Sequence, residues 1–289
     1  REFIRKMAVE YFQEGLKSAF KALGGDPEKL QFILASDFYH NNDKFWETVV
    51  SVGKHTTLSR MQRSITIMGK KEGSEVDFAK LLYPAMQVAD VFALEKNIAH
   101  AGIDQRKAHV IARDVALKDE NLEFEHNGEK YKPIAIHHPL ILGLSKPAVW
   151  PLPEGANIKD VLGEMKMSKS VANSAIFIHD SEDEIRSKMK KAFCPEKETV
   201  FNPVLDWADK LIFKGEDKEV SIKRDEKFGG ELQFKNYAEL EEVFAKGDLH
   251  PMDLKSFVAD YLVEVLAPIR ADFSEGKLKE ALAELESRL

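Results

Sequence analysis

The sequence predicts an α/β protein: a domain with a parallel sheet, followed by a mostly α-helical domain. Short apolar runs alternate with amphipathic helices over the first 140 residues, as in parallel strands joined by crossover helices. An irregular, proline-rich stretch follows at residues 145–162, and the pattern beyond it is mainly helical. We predict a boundary near Cys194-Pro195, so that residues 1–194 and 195–289 form the two domains.

The first half of the chain contains most of the predicted sheet. An amphipathic helix ends at Gly24-Gly25, and Asn127-Gly128 between apolar residues is a strong hairpin signal. Asp104 is the expected N-cap of its helix. The predicted helices are residues 2–23, 45–68, 78–94 and 104–116. The predicted strands are the buried run 32–35 and residues 133–137, with the hairpin inside 121–136.

The second half is predicted from the same periodicities. Gly229-Gly230 separates two short apolar runs that favour strands. The remaining segments repeat apolar residues every three or four positions, as helices do. The predicted helices are residues 183–193, 204–213, 237–245 and 252–270, with a polar helix closing the chain. The predicted strands are residues 220–223 and 232–234.

Composition limits the possible functions. The 289 residues are 44% hydrophobic and 31% charged, with a net charge of −7, which argues against a broad basic surface for nucleic acid. No run approaches the ~18 apolar residues of a membrane span, and the charged start is unlike a signal peptide. The single Cys194 excludes an internal disulfide and suits a reducing cytoplasm. We predict a cytoplasmic protein without membrane contact.

The strongest motif combines two lysines with two serines in a polar loop. Lysine ammonium groups are compact charges that suit polyphosphate, and they help most where charge develops on a leaving group. Spacing alone leaves a solvated surface turn equally open. The motif consists of Lys166, Met167, Ser168, Lys169 and Ser170.

A second candidate site lies on the predicted helix 78–94. Tyr83, Gln87 and Asp90 are at i, i+4 and i+7, so they share one face. The rest of this helix is apolar, but a face with three polar residues is poorly suited to pack in a hydrophobic core. They indicate either a binding face or a solvated face.

Taken together, these segments resemble the class I aminoacyl-tRNA synthetases, and specifically the tyrosyl-tRNA synthetases of archaeal and eukaryotic type. The lysine motif resembles the second signature of class I. Residues 83–90 and 102–107 resemble the tyrosine-pocket segments, while residues 227–230 and 249–255 resemble the anticodon-binding domain. The matches occur in family order from about the first helix to near the C-terminus. The resemblance implies that residues 1–194 form a Rossmann-like catalytic domain and that residues 195–289 form the anticodon-binding domain.

The resemblance implies roles for the pocket residues. Asp90 would accept a hydrogen bond from the phenol of L-tyrosine, Tyr83 and Gln87 would hold the amino group, and Gln105 would contact the substrate from the next segment. The tyrosine carboxylate would then attack the α-phosphate of ATP, giving tyrosyl-adenylate, and the tyrosyl group would pass to tRNA(Tyr). Residues 166–170 would form the ATP loop, in which Lys166 and Lys169 would be the catalytic residues that act on the leaving pyrophosphate. Mg²⁺ would be bound through the phosphates.

The resemblance also implies contacts with tRNA. Phe228 could stack on the first anticodon base, and Asp253 could accept hydrogen bonds from guanine. His250 lies beside them in sequence. Arg63 and Arg106 are candidates for the acceptor end. A core position for Phe228 and a simple helix start at His250-Pro251 remain the alternatives.

The pair His137-His138 suggests a metal site, but neighbouring residues on a strand point to opposite faces. We therefore predict no metal site. The resemblance places this stretch beside the adenine of ATP. His100 follows the short apolar stretch Ile98-Ala99 and precedes Gly102, a position typical of a strand end. It is a candidate either for packing or for proximity to the substrate.

One expected motif is missing from the sequence. Class I synthetases carry a His-x-Gly-His type turn after their first strand, and we expect it ahead of Arg1, together with the opening βαβ unit. We expect the 289-residue chain alone to fail in ATP–pyrophosphate exchange. The alternatives are a tryptophanyl-tRNA synthetase and a non-catalytic fragment that binds tRNA or a signalling receptor. The family also implies a homodimer through the region of residues 43–69.

Overall fold

A computed structural model describes residues 1–69, 77–155, 161, 165, 167 and 174–288 of the chain. The chain forms two compact units. We call Arg1–Phe32 together with Ile141–Leu289 the first unit, and Ile33–Leu140 the second unit.

The helices begin and end close to the positions that the periodicity predicts. Several begin at side-chain caps, including Asp77, Ser181 and Asn236, whose oxygens accept from backbone N–H groups that have no partner within the helix. The α-helices are α1 Glu2–Met7, α2 Glu14–Ala22, α3 Ala35–Phe38, α4 Asp43–Lys54, α5 Leu58–Ser64, α6 Phe78–Ala93, α7 Arg106–Val115, α8 Glu182–Lys191, α9 Pro203–Trp207, α10 Tyr237–Lys246, α11 Pro251–Ser274 and α12 Gly276–Glu286.

The described strands form three two-stranded sheets. β1 (Ile98–Gly102) and β4 (Ile134–His138) are parallel, in register from Ile98↔Ile134 to Gly102↔His138. β2 (Phe124–His126) and β3 (Glu129–Tyr131) form the predicted hairpin, and β5 (Val220–Ile222) pairs antiparallel with β6 (Leu232–Phe234). The hairpin turns at Asn127 (φ 54°) and Gly128 (φ 79°), two left-handed positions that Asn-Gly accommodates readily.

Each unit has its own hydrophobic core. In the second unit, α4, α6 and α7 bury Phe45, Val88 and Ile111. In the first unit, the largest fully buried side chains are those of Trp207, Phe213 and Phe244. The core of the second unit fixes α6, which carries three of the candidate pocket residues.

Packing divides the chain differently from the predicted boundary at residue 194. The first unit's core joins Leu144 and Ile185 to Leu254 and Leu262, so residues on both sides of that boundary share one core. The assignment of ATP chemistry to residues 1–194 and of anticodon binding to residues 195–289 stays a prediction.

Three local predictions were wrong. The run 32–35 is not a buried strand: Ile33 is half exposed, α3 begins at Ala35, and no described residue pairs with the run. Four apolar residues are too few to identify a strand without a partner. The predicted helix 45–68 is interrupted at residues 55–57, where Thr57 caps α5. Asp104 lies inside the turn Ile103–Gln105, and α7 begins after Gln105 instead.

Among the helices that the structure describes, none combines the length and apolar character required to cross a membrane.

Acid is expected to destabilise the second unit through Asp119. Burial alone would raise the pKa of Asp119, but hydrogen bonds from Ser51, the Asn121 backbone N–H and His55 lower it. A carboxyl with a lowered folded-state pKa stabilises the fold above its unfolded pKa of about 3.9, and this contribution is lost as pH falls below that value. As pH is lowered from 5 to 3, the melting temperature of Asp119→Asn should therefore fall less steeply than that of the wild-type protein. Parallel slopes in thermal unfolding would contradict this assignment.

Candidate functional site

The four predicted pocket residues all lie in the second unit. α6 carries Tyr83, Gln87 and Asp90 on one face, over a distance of about 10 Å along the helix axis at ~1.5 Å per residue. Gln105 follows the carboxyl end of β1, where parallel sheets commonly place ligand contacts. Tyr83 is 49% exposed, while Gln87 and Asp90 are partly buried.

Asp90 has a hydrogen-bond partner that the sequence analysis missed. The hydroxyl of Tyr39 donates to the Asp90 carboxylate, with its oxygen 2.9 Å from Oδ1 and 3.1 Å from Oδ2. The Tyr39 ring stacks on the buried Phe45 ring, with centroids 4.2 Å apart and an angle of 18°. The sequence offers only a weak signal, an aromatic cluster at residues 38–46, because 51 residues separate Tyr39 from Asp90.

The electrostatics of this pair follow from burial. Burial raises the pKa of Asp90, and the hydrogen bond from Tyr39 opposes that rise. The pKa of Tyr39 is also raised, first by burial and then by the neighbouring Asp90 charge. Tyr39 is therefore a neutral donor, and Asp90 is a partly desolvated acceptor.

Gln87 and Gln105 form a directed chain of amides. Gln105 Nε2 donates to the backbone oxygen of Ile67 at 3.0 Å, and Gln87 Nε2 donates to Gln105 Oε1 at 3.0 Å. A backbone carbonyl only accepts, so it fixes the orientation of both amides. Gln87 Oε1 is then a buried acceptor for which the described residues provide no hydrogen-bond partner.

The face of α6 therefore offers acceptors one helical turn apart. Asp90 can accept a hydrogen bond from an O–H or N–H group, and Gln87 Oε1 can accept one from an ammonium group. A buried acceptor without a partner is costly, so Gln87 favours a ligand that brings a donor. This arrangement suits a ligand with an amino group at one end and a donor at the other.

Of the ATP loop, only Met167 belongs to the described residues; Lys166, Ser168, Lys169 and Ser170 lie outside them. Met167, within the loop, and Ser174, after it, are hydrogen-bonded through their backbones to residues 141–144. Met167 N donates to Ile141 O at 3.1 Å, and Leu144 N donates to Ser174 O at 2.9 Å. Met167 also packs against the first unit's core. Met167 and Ser174 are therefore held against residues 141–144.

Phe228 lies in an exposed turn of the first unit rather than in the core. Its side chain is 60% exposed, and Lys227 Nζ is 4.9 Å from its ring centroid. Arg224, which the sequence analysis did not select, donates from Nε to Gly230 O and from Nη1 to Asp248 O, both at 2.9 Å. Arg224 thus ties the turn of Phe228 to the segment that leads into α11.

His250 and Asp253 lie at the start of α11. His250 is the N-cap, and its Nδ1 accepts from Met252 N at 3.1 Å. The predicted helix start is therefore real, and the cap leaves the other ring nitrogen of the exposed His250 for a further contact. Asp253 is partly exposed in the first turn.

The two arginines predicted for the acceptor end are both exposed in the second unit. Arg63 Nη1 donates to Ser59 Oγ at 2.9 Å. Lys107, next to Arg106, donates to the backbone oxygen of Arg63 at 2.8 Å. The two predicted arginines thus belong to neighbouring segments that form one basic patch.

The histidines of β4 pair with two different histidines. His137 Nε2 lies 2.9 Å from His109 Nδ1, and His138 Nδ1 lies 3.1 Å from His100 Nε2. Burial lowers the pKa of His109, as do the neighbouring His137 and His100. Within the described ranges, no group of three or more His, Cys, Asp or Glu residues could hold a metal ion.

Comparison with known proteins identifies the class. Residues 3–267 match the family model of class I tRNA synthetases (W and Y). The chain belongs to this family and is an aminoacyl-tRNA synthetase.

Relatives that are 44% to 53% identical to the chain are tyrosine–tRNA ligases. That of Thermococcus onnurineus is 53% identical over 274 residues, which cover 95% of this chain and 73% of the relative. That of Pyrobaculum aerophilum is 44% identical over 285 residues, covering 98% and 75%. The crystal structure of the Pyrococcus horikoshii tyrosyl-tRNA synthetase complexed with L-tyrosine has 49% identity and a TM-score of 0.93, and the match covers 99% of this chain and 76% of that one.

Proposed function

We propose that the chain carries the tyrosine-selecting site of a tyrosine–tRNA ligase, which activates L-tyrosine with ATP and transfers it to tRNA(Tyr). The observation that carries this proposal is the pair of acceptors on α6, Asp90 and Gln87 Oε1. L-Tyrosine brings a donor for each, its phenol and its ammonium group. The names of the similar proteins, and the tyrosine complex of the Pyrococcus horikoshii enzyme, support the same assignment.

In this proposal catalysis comes from positioning and charge, without an enzyme nucleophile. Asp90 fixes the phenol, while Tyr83, Gln87 and Gln105 fix the amino end. The substrate carboxylate then attacks the α-phosphate of ATP, and pyrophosphate leaves with the bonding electrons. Lys166 and Lys169 stabilise the charge on the leaving pyrophosphate. Mg²⁺ is carried mainly by the phosphates, because it retains water and takes few protein ligands in such sites.

Tryptophan is the competing substrate, since the matched family includes tryptophan enzymes. The two substrates are separated by measuring the exchange of pyrophosphate into ATP with each amino acid. The measurement uses the native protein as the cell produces it, not the 289-residue chain alone. We expect exchange with tyrosine and only background exchange with tryptophan. Exchange with tryptophan alone would overturn the proposal, and exchange with neither would favour a non-catalytic binding module.

We also propose that Phe228, His250 and Asp253 bind the anticodon. Support comes from the exposed ring of Phe228 and from Arg224, which holds its turn against the segment ahead of His250. An exposed aromatic ring can stack on an unpaired base, and a carboxylate can accept from the base edge.

Replacing Asp253 with alanine is expected to raise the KM for tRNA(Tyr) by about 10- to 100-fold, the range for one lost base-edge contact. The rate of tyrosine-dependent ATP–pyrophosphate exchange should stay unchanged, because that step needs no tRNA. Asp260→Ala is the matched control, since Asp260 is an exposed aspartate of the same helix. Equal effects of both variants on the KM for tRNA would contradict the anticodon role.

Three further assignments belong to this proposal. Arg63 and Arg106, beside Lys107, bind the acceptor end of tRNA through its phosphates. The protein is a homodimer through residues 43–69, a region in which Val50 is 71% and Leu58 62% exposed; sedimentation as a monomer would contradict it. Its place in protein synthesis assigns it to the cytoplasm.

A further inference from the structure

The hydrogen bond between Tyr39 and Asp90 joins a protein phenol to the carboxylate proposed to read the substrate phenol. The Tyr39 hydroxyl lies 2.9 Å and 3.1 Å from the two Asp90 oxygens, so one proton is shared between both. An ionised carboxylate offers about four lone-pair sites. Beside the Tyr39 hydroxyl, the described residues therefore leave lone pairs of Asp90 available for a second hydroxyl donor.

Tyr39 is held in place from two directions. Its ring stacks on the fully buried Phe45, and its backbone oxygen accepts from Trp46 Nε1 at 3.1 Å. Tyr39 therefore fixes the carboxylate from a rigid position. The partial burial of Asp90 makes this important, because a desolvated carboxyl tends to take up a proton and would then become a donor itself.

We infer that Tyr39 is a specificity-determining positioning residue: it orients Asp90 and keeps it an acceptor, so that the site demands a hydroxyl from the substrate. This inference rests on the proposed function. A phenylalanine side chain in the same place leaves the Asp90 acceptor without its second donor. The site rejects phenylalanine because that unpaired acceptor is costly.

The test is Tyr39→Phe, which removes the hydroxyl and keeps the ring that stacks on Phe45. The kcat and KM of ATP–pyrophosphate exchange are measured on the native protein with tyrosine and with phenylalanine. We expect the ratio of their kcat/KM values to fall by about 10- to 100-fold, the effect of one hydrogen bond to a charged group. The change should lie mainly in a higher KM for tyrosine, with kcat nearly unchanged.

Two controls separate positioning from a general structural effect. Tyr261→Phe removes another partly buried hydroxyl, which donates to Leu211 O at 2.8 Å in the first unit, and it should leave the ratio unchanged. In a double-mutant cycle with Asp90→Asn, Tyr39→Phe should have little further effect, because the two residues act as one group.

The outcomes are distinguishable. An unchanged ratio in Tyr39→Phe, or equal losses for both amino acids, overturns the role of Tyr39 and leaves the proposed function standing. Additive effects in the cycle also overturn it. If the wild-type protein does not activate tyrosine, the proposed function and this inference fall together.

Discussion

Asp90→Ala is expected to lower kcat/KM for tyrosine in ATP–pyrophosphate exchange by about 100- to 1000-fold, the loss of a charge-assisted hydrogen bond in a partly buried site. The value for phenylalanine should rise, because phenylalanine no longer leaves a buried carboxylate without a donor. Sites that bind a substrate hydroxyl reject the analogue without it by about 10⁴- to 10⁵-fold, a magnitude measured for an enzyme of this family. Most of that discrimination should disappear with Asp90.

The control for this variant is Asp114→Ala. Asp114 is an exposed aspartate of α7 in the same unit, and it pairs with Arg60. Its removal should leave kcat/KM for tyrosine within about twofold, as expected for an exposed ion pair. A tyrosine-to-phenylalanine preference that survives in Asp90→Ala would show that another group reads the phenol.

Lys169→Ala is expected to lower the kcat of exchange by about 100- to 1000-fold, the usual effect of removing one group that stabilises transition-state charge. The KM for tyrosine should stay close to the wild-type value, because the residues proposed to bind the amino acid are on α6 and the segment after β1, not in the 166–170 loop. Lys166→Ala should likewise lower kcat and leave the KM for tyrosine close to the wild-type value. Steady-state exchange kinetics measure both quantities.

Lys191→Ala serves as the comparison, because Lys191 is an exposed lysine in the last turn of α8. It should leave both constants unchanged. If Lys169→Ala raised the KM for tyrosine and left kcat intact, the loop would be acting on amino-acid binding, and the proposed pyrophosphate role would be wrong.

The elements predicted well are those whose signals are local. α6 follows an apolar periodicity of sixteen residues and begins at the cap Asp77, and both are readable along the chain. The hairpin at Asn127-Gly128 is specified by two residues that tolerate positive φ. The shared face of Tyr83, Gln87 and Asp90 follows from the same helical period.

The contacts that complete the site are not local. Tyr39 meets Asp90 across 51 residues, and Gln105 meets Ile67 across 38, so neither contact is encoded in a short-range period. Arg224 looks like any surface arginine until the fold brings Gly230 and Asp248 together. The failed strand at residues 32–35 has the same origin, because a strand depends on a partner elsewhere in the chain.

The central claim is that the face of α6 binds tyrosine with its phenol on Asp90 and its amino group on Gln87. A crystal structure of the native protein with bound L-tyrosine tests it most directly. We expect the phenol oxygen within about 3 Å of an Asp90 carboxylate oxygen, and the ammonium nitrogen at a similar distance from Gln87 Oε1. Tyrosine bound away from α6, or bound with its phenol away from Asp90, would show that α6 does not select the substrate.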